Sequence, residues 1–321
     1  MKFYETHFEN YLLENKRVNL HPKLEKIIEK LPLNINKLKN IIIYGPTGIG
    51  KYTQALKFIK KYSLSDLKYE KKITKSYNKQ NYFLKISDIH FEVDMSLLGC
   101  NSKLLWHEIY LQIIDIISAK TEKSGIIVCK YFQEIHSELL DNFYSYMQKN
   151  YSINVNIVFF IITEELSFIP DNILNCCEII SISRPSTSSY NKLLKNKLPK
   201  NIKMDEITNI KNLYLLNEFN DIQIYYKIIC NKIIEHMIPL EDIHFLHFRD
   251  LLYDIFIYHL DITDCIWYII HNLVKKKCLK QKHFTNLMIT TYCFFQYYNN
   301  NYRPIYHLEN YLLKIVQMIN E

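Results

Sequence analysis

The sequence predicts an α/β protein with an all-helical C-terminal part, and three observations carry that prediction. Three of only five glycines, Gly45, Gly48 and Gly50, fall within six residues, between the apolar run at 41–44 and the helically spaced stretch at 52–62. Apolar, β-branched runs then alternate with helical segments as far as residue 182, the pattern of a parallel sheet covered on both faces. From Glu241 onward the apolar positions keep a helical period with almost no turn signal, so the tail is expected to be all helix.

In order, residues 41–44 (IIIY) read as a short buried strand, followed by a glycine-rich loop and a helix. The run at 68–81 carries five lysines and reads as a mobile surface loop or a solvated hairpin; the lysines could touch DNA, but a solvated face is preferred. Strands are expected at 126–129 and 156–162, with the helix 134–148 between them, and at 178–182. Pro185, Pro199 and a Ser/Thr cluster within 183–201 mark the exit from the sheet. Residues 204–237 read as two or three short helices. The expected domains are 1–184 (α/β), 185–237 (a small helical lid) and 238–321 (a helical domain).

A chain of 321 residues with 48% hydrophobic and 23% charged side chains can bury several cores. Its net charge of +7 permits contact with nucleic acid or an acidic partner without demanding it. Four arginines and two alanines against abundant Lys, Asn, Ile and Tyr look like coding from an A+T-rich genome, which discounts lysine runs as functional signals. The eight cysteines, Cys100, Cys129, Cys176, Cys177, Cys230, Cys265, Cys278 and Cys293, form no CxxC or Cys/His knuckle and read as buried thiols in a reducing compartment. No apolar run reaches the length of a membrane span, and no secretion signal is recognisable.

Gly45-Pro46-Thr47-Gly48-Ile49-Gly50-Lys51-Tyr52-Thr53 matches Gly-x-x-x-x-Gly-Lys, with Tyr52 where Ser or Thr normally stands. Glycines let backbone N–H groups converge on phosphate oxygens, and a lysine opening the helix reaches the outer phosphates. The hydroxyl that would hold Mg²⁺ has moved or gone, and Thr53 lies about 100° further round the helix. The opposing reading is a loop that keeps its shape without a ligand. Hydrolysis normally adds an acidic residue at the end of a neighbouring strand, but Lys130-Tyr131-Phe132 follows the strand 126–129. Glu134 is a possible stand-in, although a capping or solvated role serves it better.

With these residues in order, the chain resembles the small subunits of the replication factor C sliding-clamp loader, within the AAA+ ATPases. The likeness is strongest to a small subunit whose loop also has a non-hydroxyl residue after Gly-Lys and then Thr. Residues 90–113 are similar to that family's strand, turn and helix; 168–177 (FIPDNILNCC) resemble its Ile-x-x-Ile-x-Ser-Arg-Cys segment; 248–256 and 301–315 resemble its collar helices. The resemblance covers nearly the whole length and is weakest over the first forty residues. It implies a AAA+ P-loop domain, a helical lid and a C-terminal collar.

Carried over by position, the resemblance implies an eroded catalytic pattern. The acidic pair falls on Lys130 and Tyr131, the finger arginine on Cys176 with Asn175 before it, the sensor arginine on Gln223, and the sensor asparagine near Glu164; Arg184 is the one arginine near any of them. The implied function is that of a clamp-loader subunit binding ATP or ADP, with or without Mg²⁺, with little or no hydrolysis. Implied partners are other subunits of a hetero-pentamer, a sliding clamp and primer-template DNA, with no membrane. Leu97 and Leu98 are candidates for clamp contact, against ordinary helix packing. The implied location is the nucleus or, for a viral chain, a cytoplasmic viral factory. Two alternatives stand beside this reading: a nucleotide-free scaffold, and an active ATPase in which Glu134 or Glu164 is indispensable.

Overall fold

The computed structural model describes residues 7–77, 80–99, 101–148, 155–192, 210, 225–238, 245–258, 260–298 and 303–320. The chain divides into two units, 1–221 and 222–321. The first is a mixed α/β domain. Its strands are β1 (Asn40–Tyr44), β2 (Lys71–Tyr77), β3 (Gln80–Ile86), β4 (His90–Asp94), β5 (Ser124–Lys130), β6 (Asn156–Thr163) and β7 (Cys177–Ser181). They form one sheet in the order β2-β3-β4-β5-β6-β1-β7. β4, β5, β6, β1 and β7 are mutually parallel, with Ile42 opposite Ile161 on one side and Ile179 on the other. β2 and β3 form an antiparallel hairpin on the β4 edge.

Side chains alternate across a strand, so a run of isoleucines serves two cores at once. Ile41, Ile43, Ile126, Val128, Val158, Phe160 and Ile162 face α1 (Phe8–Arg17) and α3 (Lys51–Lys60), whose Phe8, Leu12, Leu56 and Ile59 share their core. Ile42, Ile127, Cys129, Phe159 and Ile161 face the other way, toward α4 (Ser102–Ser118) and α5 (Ser137–Met147) with Trp106, Ile109 and Phe143. The short helices α2 (Glu25–Lys30), α6 (Asp171–Asn175) and α7 (Thr187–Asn191) fill the connections. The run at 68–81 is thus largely strand, the solvated hairpin of the two readings. Lys71 and Lys72 on its outer strand are exposed, and charged side chains there oppose edge-to-edge pairing. Leu98 is buried in the core while Leu97 is 62% exposed.

The second unit contains α8 (Tyr225–Met237), α9 (Phe245–Ile257), α10 (Ile262–Lys275), α11 (Phe284–Tyr298) and α12 (Pro304–Asn320). α8 packs on α9 and α10, and α12 on α9 and α11. Ile229, Cys230, Ile233 and Met237 of α8 lie in the same core as Leu252, Ile269 and Leu312. Most of the rest of the expected lid lies outside the described residues. The two collar-like segments meet directly: the Arg249 guanidinium on α9 forks onto both carboxylate oxygens of Glu309 on α12, with Nη2 donating to Oε2 at 3.0 Å. No helix among the described residues is long and apolar enough to cross a membrane. The expectation of uniformly buried thiols is corrected: Cys129, Cys230 and Cys265 are buried, Cys176, Cys177 and Cys278 are half-buried, and Cys293 is exposed.

Candidate functional site

Strand β1 stops at Tyr44 and the glycine-rich loop turns over the carboxyl end of the sheet. Gly45 passes so close to the β7 exit that a Cβ there would lie 2.2 Å from the Ile182 carbonyl oxygen. That exit is itself pinned, since the Ile182 N–H donates to the Tyr44 carbonyl at 2.8 Å. Gly48 (φ +66°) and Gly50 (φ +89°) take left-handed conformations that cost a side chain about 1–2 kcal/mol. Gly50 is the N-cap of α3, leaving the first N–H groups of that helix at the loop. Ile49 is fully buried, anchoring the loop to the α1/α3 face.

The loop closes around Lys51. Its ammonium donates to the Gly45 carbonyl at 2.7 Å and the Pro46 carbonyl at 2.8 Å, and lies 3.4 Å from Glu164 Oε1. Glu164 directly follows β6, and its N–H donates to Gln133 Oε1 at 3.3 Å. The Ile210 N–H donates to the Gly48 carbonyl at 2.8 Å, and Ile210 also lines the cleft beside the loop. His21 Nε2 lies 2.8 Å from the Ile49 carbonyl oxygen, a contact that the neutral ring makes as a donor.

Burial lowers the His21 pKa, opposed by the Ile49 contact. The unfolded chain therefore takes up this proton first, and stability falls as pH drops below the ordinary histidine value of about 6.5. A His21→Gln variant, which keeps an N–H donor but does not titrate, should show less of that slope in denaturant unfolding between about pH 7 and 5. An identical slope in both proteins would contradict this account.

Tyr52, the residue after Lys51, points toward β4. Its phenol donates to Glu92 Oε1 at 2.6 Å, and burial first, then the Glu92 charge, raise its pKa. Glu92 is 2% exposed. His90 Nε2 lies 3.4 Å from Oε1 and Lys130 Nζ 3.3 Å from Oε2. Burial alone would raise the Glu92 carboxyl, but His90, Lys130 and Tyr52 outweigh it and hold the pKa below the ordinary value. This cluster extends to α1: Phe8 packs on the His90 ring at 4.7 Å and Tyr11 meets Tyr52 edge-on at 5.0 Å. Glu70 serves the start of α1, accepting from the Phe8 N–H at 3.0 Å, and pairs with Lys85 at 2.7 Å.

Between loop and cluster lies a cleft of about 740 Å³, lined by residues including Tyr11, Glu14, Thr47, Lys51, Tyr52, Thr53, Lys72, Lys85, Lys130, Tyr131 and Glu164. It sits at the carboxyl ends of β1, β5 and β6, beside the point where the chain passes from one side of β1 to the other, the usual crevice for ligands of parallel sheets. Of the nine loop residues expected from sequence, Thr47, Gly48, Gly50, Lys51, Tyr52 and Thr53 line the cleft. Gly45 and Pro46 supply carbonyls to Lys51, and Ile49 is core.

The positions carried over from the clamp-loader pattern separate. Lys130, Tyr131 and Glu164 line the cleft, whereas Asn175 and Cys176 do not, and neither do the stand-in candidate Glu134 and the nearby Arg184. Gln223 lies outside the described residues. Desolvation, then the Glu164 charge, raise the Glu134 pKa. Sequence reading missed His21, His90, Glu92 and Lys85, and took Lys72 only as one of the lysines of a solvated run. A signal for two of them existed: His90 and Glu92 stand two apart, alternating with the apolar Phe91 and Val93, so they share one face of a strand. No protein-family model and no curated protein matches the chain.

Proposed function

We propose that this chain is a AAA+-type P-loop subunit that binds ATP or ADP without hydrolysing it, within an assembly of the clamp-loader kind. The observation that carries the nucleotide reading is the glycine loop closed around the Lys51 ammonium at the end of β1, opening into a lysine-lined cleft. Loop N–H groups and Lys51 are suited to a phosphate chain, and occupation of the cleft would bias the loop toward one arrangement, a population shift that neighbouring subunits could sense. The absence of turnover rests on Lys130 and Tyr131 at the end of β5, where neither side chain can hold a metal or activate water as a carboxylate does. The clamp-loader assignment rests on the sequence resemblance, including the segments tied by Arg249 and Glu309, with other subunits, a sliding clamp and primer-template DNA as partners.

The empty-scaffold reading has one observation in its favour, since the Lys51 ammonium is already held by the loop's own carbonyls and Glu164. Titrating the purified chain with a fluorescent ATP analogue, alongside a phosphate-release assay, separates the readings. Saturable binding without release is the expected result. Release that disappears in Glu164→Gln would support the ATPase alternative, and no binding would favour the scaffold.

A further inference from the structure

The sequence resemblance implies Mg²⁺ beside the nucleotide, and the residues present do not fit it. The position of the ligating hydroxyl is Tyr52, whose phenol donates to Glu92 at 2.6 Å. The acidic position at the end of β5 is Lys130, an ammonium. Glu164 lies within 3.4 Å of Lys51, so metal binding there would compete with that pair. Among the described residues no group of three or more His, Cys, Asp or Glu could hold a metal ion. Mg²⁺ in a phosphate site relies on one or two carboxylates and neutral oxygens, and an ammonium among them repels it.

The cleft is instead lined by Lys51, Lys72, Lys85 and Lys130, with Glu14 and Glu164; Lys51, Lys85 and Lys130 each lie beside one carboxylate, of Glu164, Glu70 and Glu92 respectively. Lys130 is held at its place: its ammonium lies 3.3 Å from Glu92 Oε2 and 5.4 Å from the centre of the Tyr52 ring. Glu92 is shared with Tyr52 and His90, and the Lys130 side chain keeps 25% of its surface open. The buried carboxylate thus fixes a cation on the wall of the cleft that Lys51 also lines.

We infer that the cleft takes the polyphosphate of a nucleoside di- or triphosphate as the metal-free anion, with Lys130 supplying charge compensation in place of a divalent cation. This rests on the nucleotide reading above and adds the ionic form of the ligand. Isothermal titration of the full chain with ADP and ATP, in EDTA and in saturating Mg²⁺, tests it. The wild-type chain binds at least as tightly in EDTA as in Mg²⁺. Lys130→Gln loses about ten- to a hundredfold of its affinity in EDTA, the worth of one charge-assisted hydrogen bond, and Lys130→Arg retains binding in EDTA. Circular dichroism confirms that each variant is folded, and if Lys130→Gln is not, the wild-type comparison decides alone. Binding tenfold tighter in Mg²⁺, or wild-type affinity of folded Lys130→Gln in EDTA, overturns the inference. No binding in either buffer overturns the nucleotide reading itself.

Discussion

Replacing Lys51 with Ala should lower nucleotide affinity by about a hundredfold or more while leaving the fold intact. The ammonium sits in the mouth of the loop, 2.7 and 2.8 Å from two loop carbonyls, and reaches a phosphate only by exchanging those contacts for charge-assisted ones. Each such bond contributes roughly 1.5–3 kcal/mol, so losing two corresponds to two orders of magnitude or more in Kd. The cost to stability is small by comparison. The Glu164 side chain left behind is 24% exposed and can hydrate, and removing a buried ammonium also removes its desolvation cost. Fluorescent-nucleotide titration beside thermal unfolding checks both halves. An unaltered affinity would mean that the loop is not the phosphate site.

Glu92→Ala should act oppositely, with its main effect on stability. One buried carboxylate accepts from the Tyr52 phenol and faces His90 and Lys130. Removing it strands a hydroxyl, an imidazole and an ammonium together, a change that costs about 3–5 kcal/mol in comparable buried networks. For a unit of this size that corresponds to a fall of about 10 °C in Tm. Glu92→Gln should fall between the two, since its amide oxygen still accepts from Tyr52 while the charge facing Lys130 is lost. The acid limb gives a second readout. Because the folded-state pKa of Glu92 is depressed, its contribution is present above the ordinary carboxylate value of about 4.3 and is lost as pH falls through the folded value. The Glu92→Gln variant lacks that component. Equal acid sensitivity in wild type and variant would contradict the assignment.

The parts of the fold that burial dictates were legible in the sequence. The runs at 41–44, 126–129 and 156–162 are β-branched because both faces of a central parallel strand are covered, and Ile41 and Ile42 do enter opposite cores. The loop was legible because five glycines in 321 residues leave little room for an incidental cluster, and three of the loop's positions require a glycine-like backbone or a missing Cβ. The hairpin 71–86 was only half legible, because an edge strand whose seven residues include three Lys, a Thr and a Ser has the composition of a loop and is recognised as strand only once β3 is there to pair with it. The partners of the site were hidden for a different reason. His21 meets Ile49 across 28 residues and Tyr52 meets Glu92 across 40, and no local pattern encodes such distances. Lys130 was legible as a lost acidic residue, but not as a cation fixed by Glu92.

The most direct test is hydrogen–deuterium exchange on the full chain with and without ADP, at a concentration that just saturates the wild-type chain. The account expects slowed exchange at residues 45–53, the first turn of α3 and the carboxyl ends of β5 and β6, with no such change in Lys51→Ala. Exchange that stays the same at residues 45–53 while ADP is bound elsewhere, or equal slowing in the Lys51 variant, would contradict it.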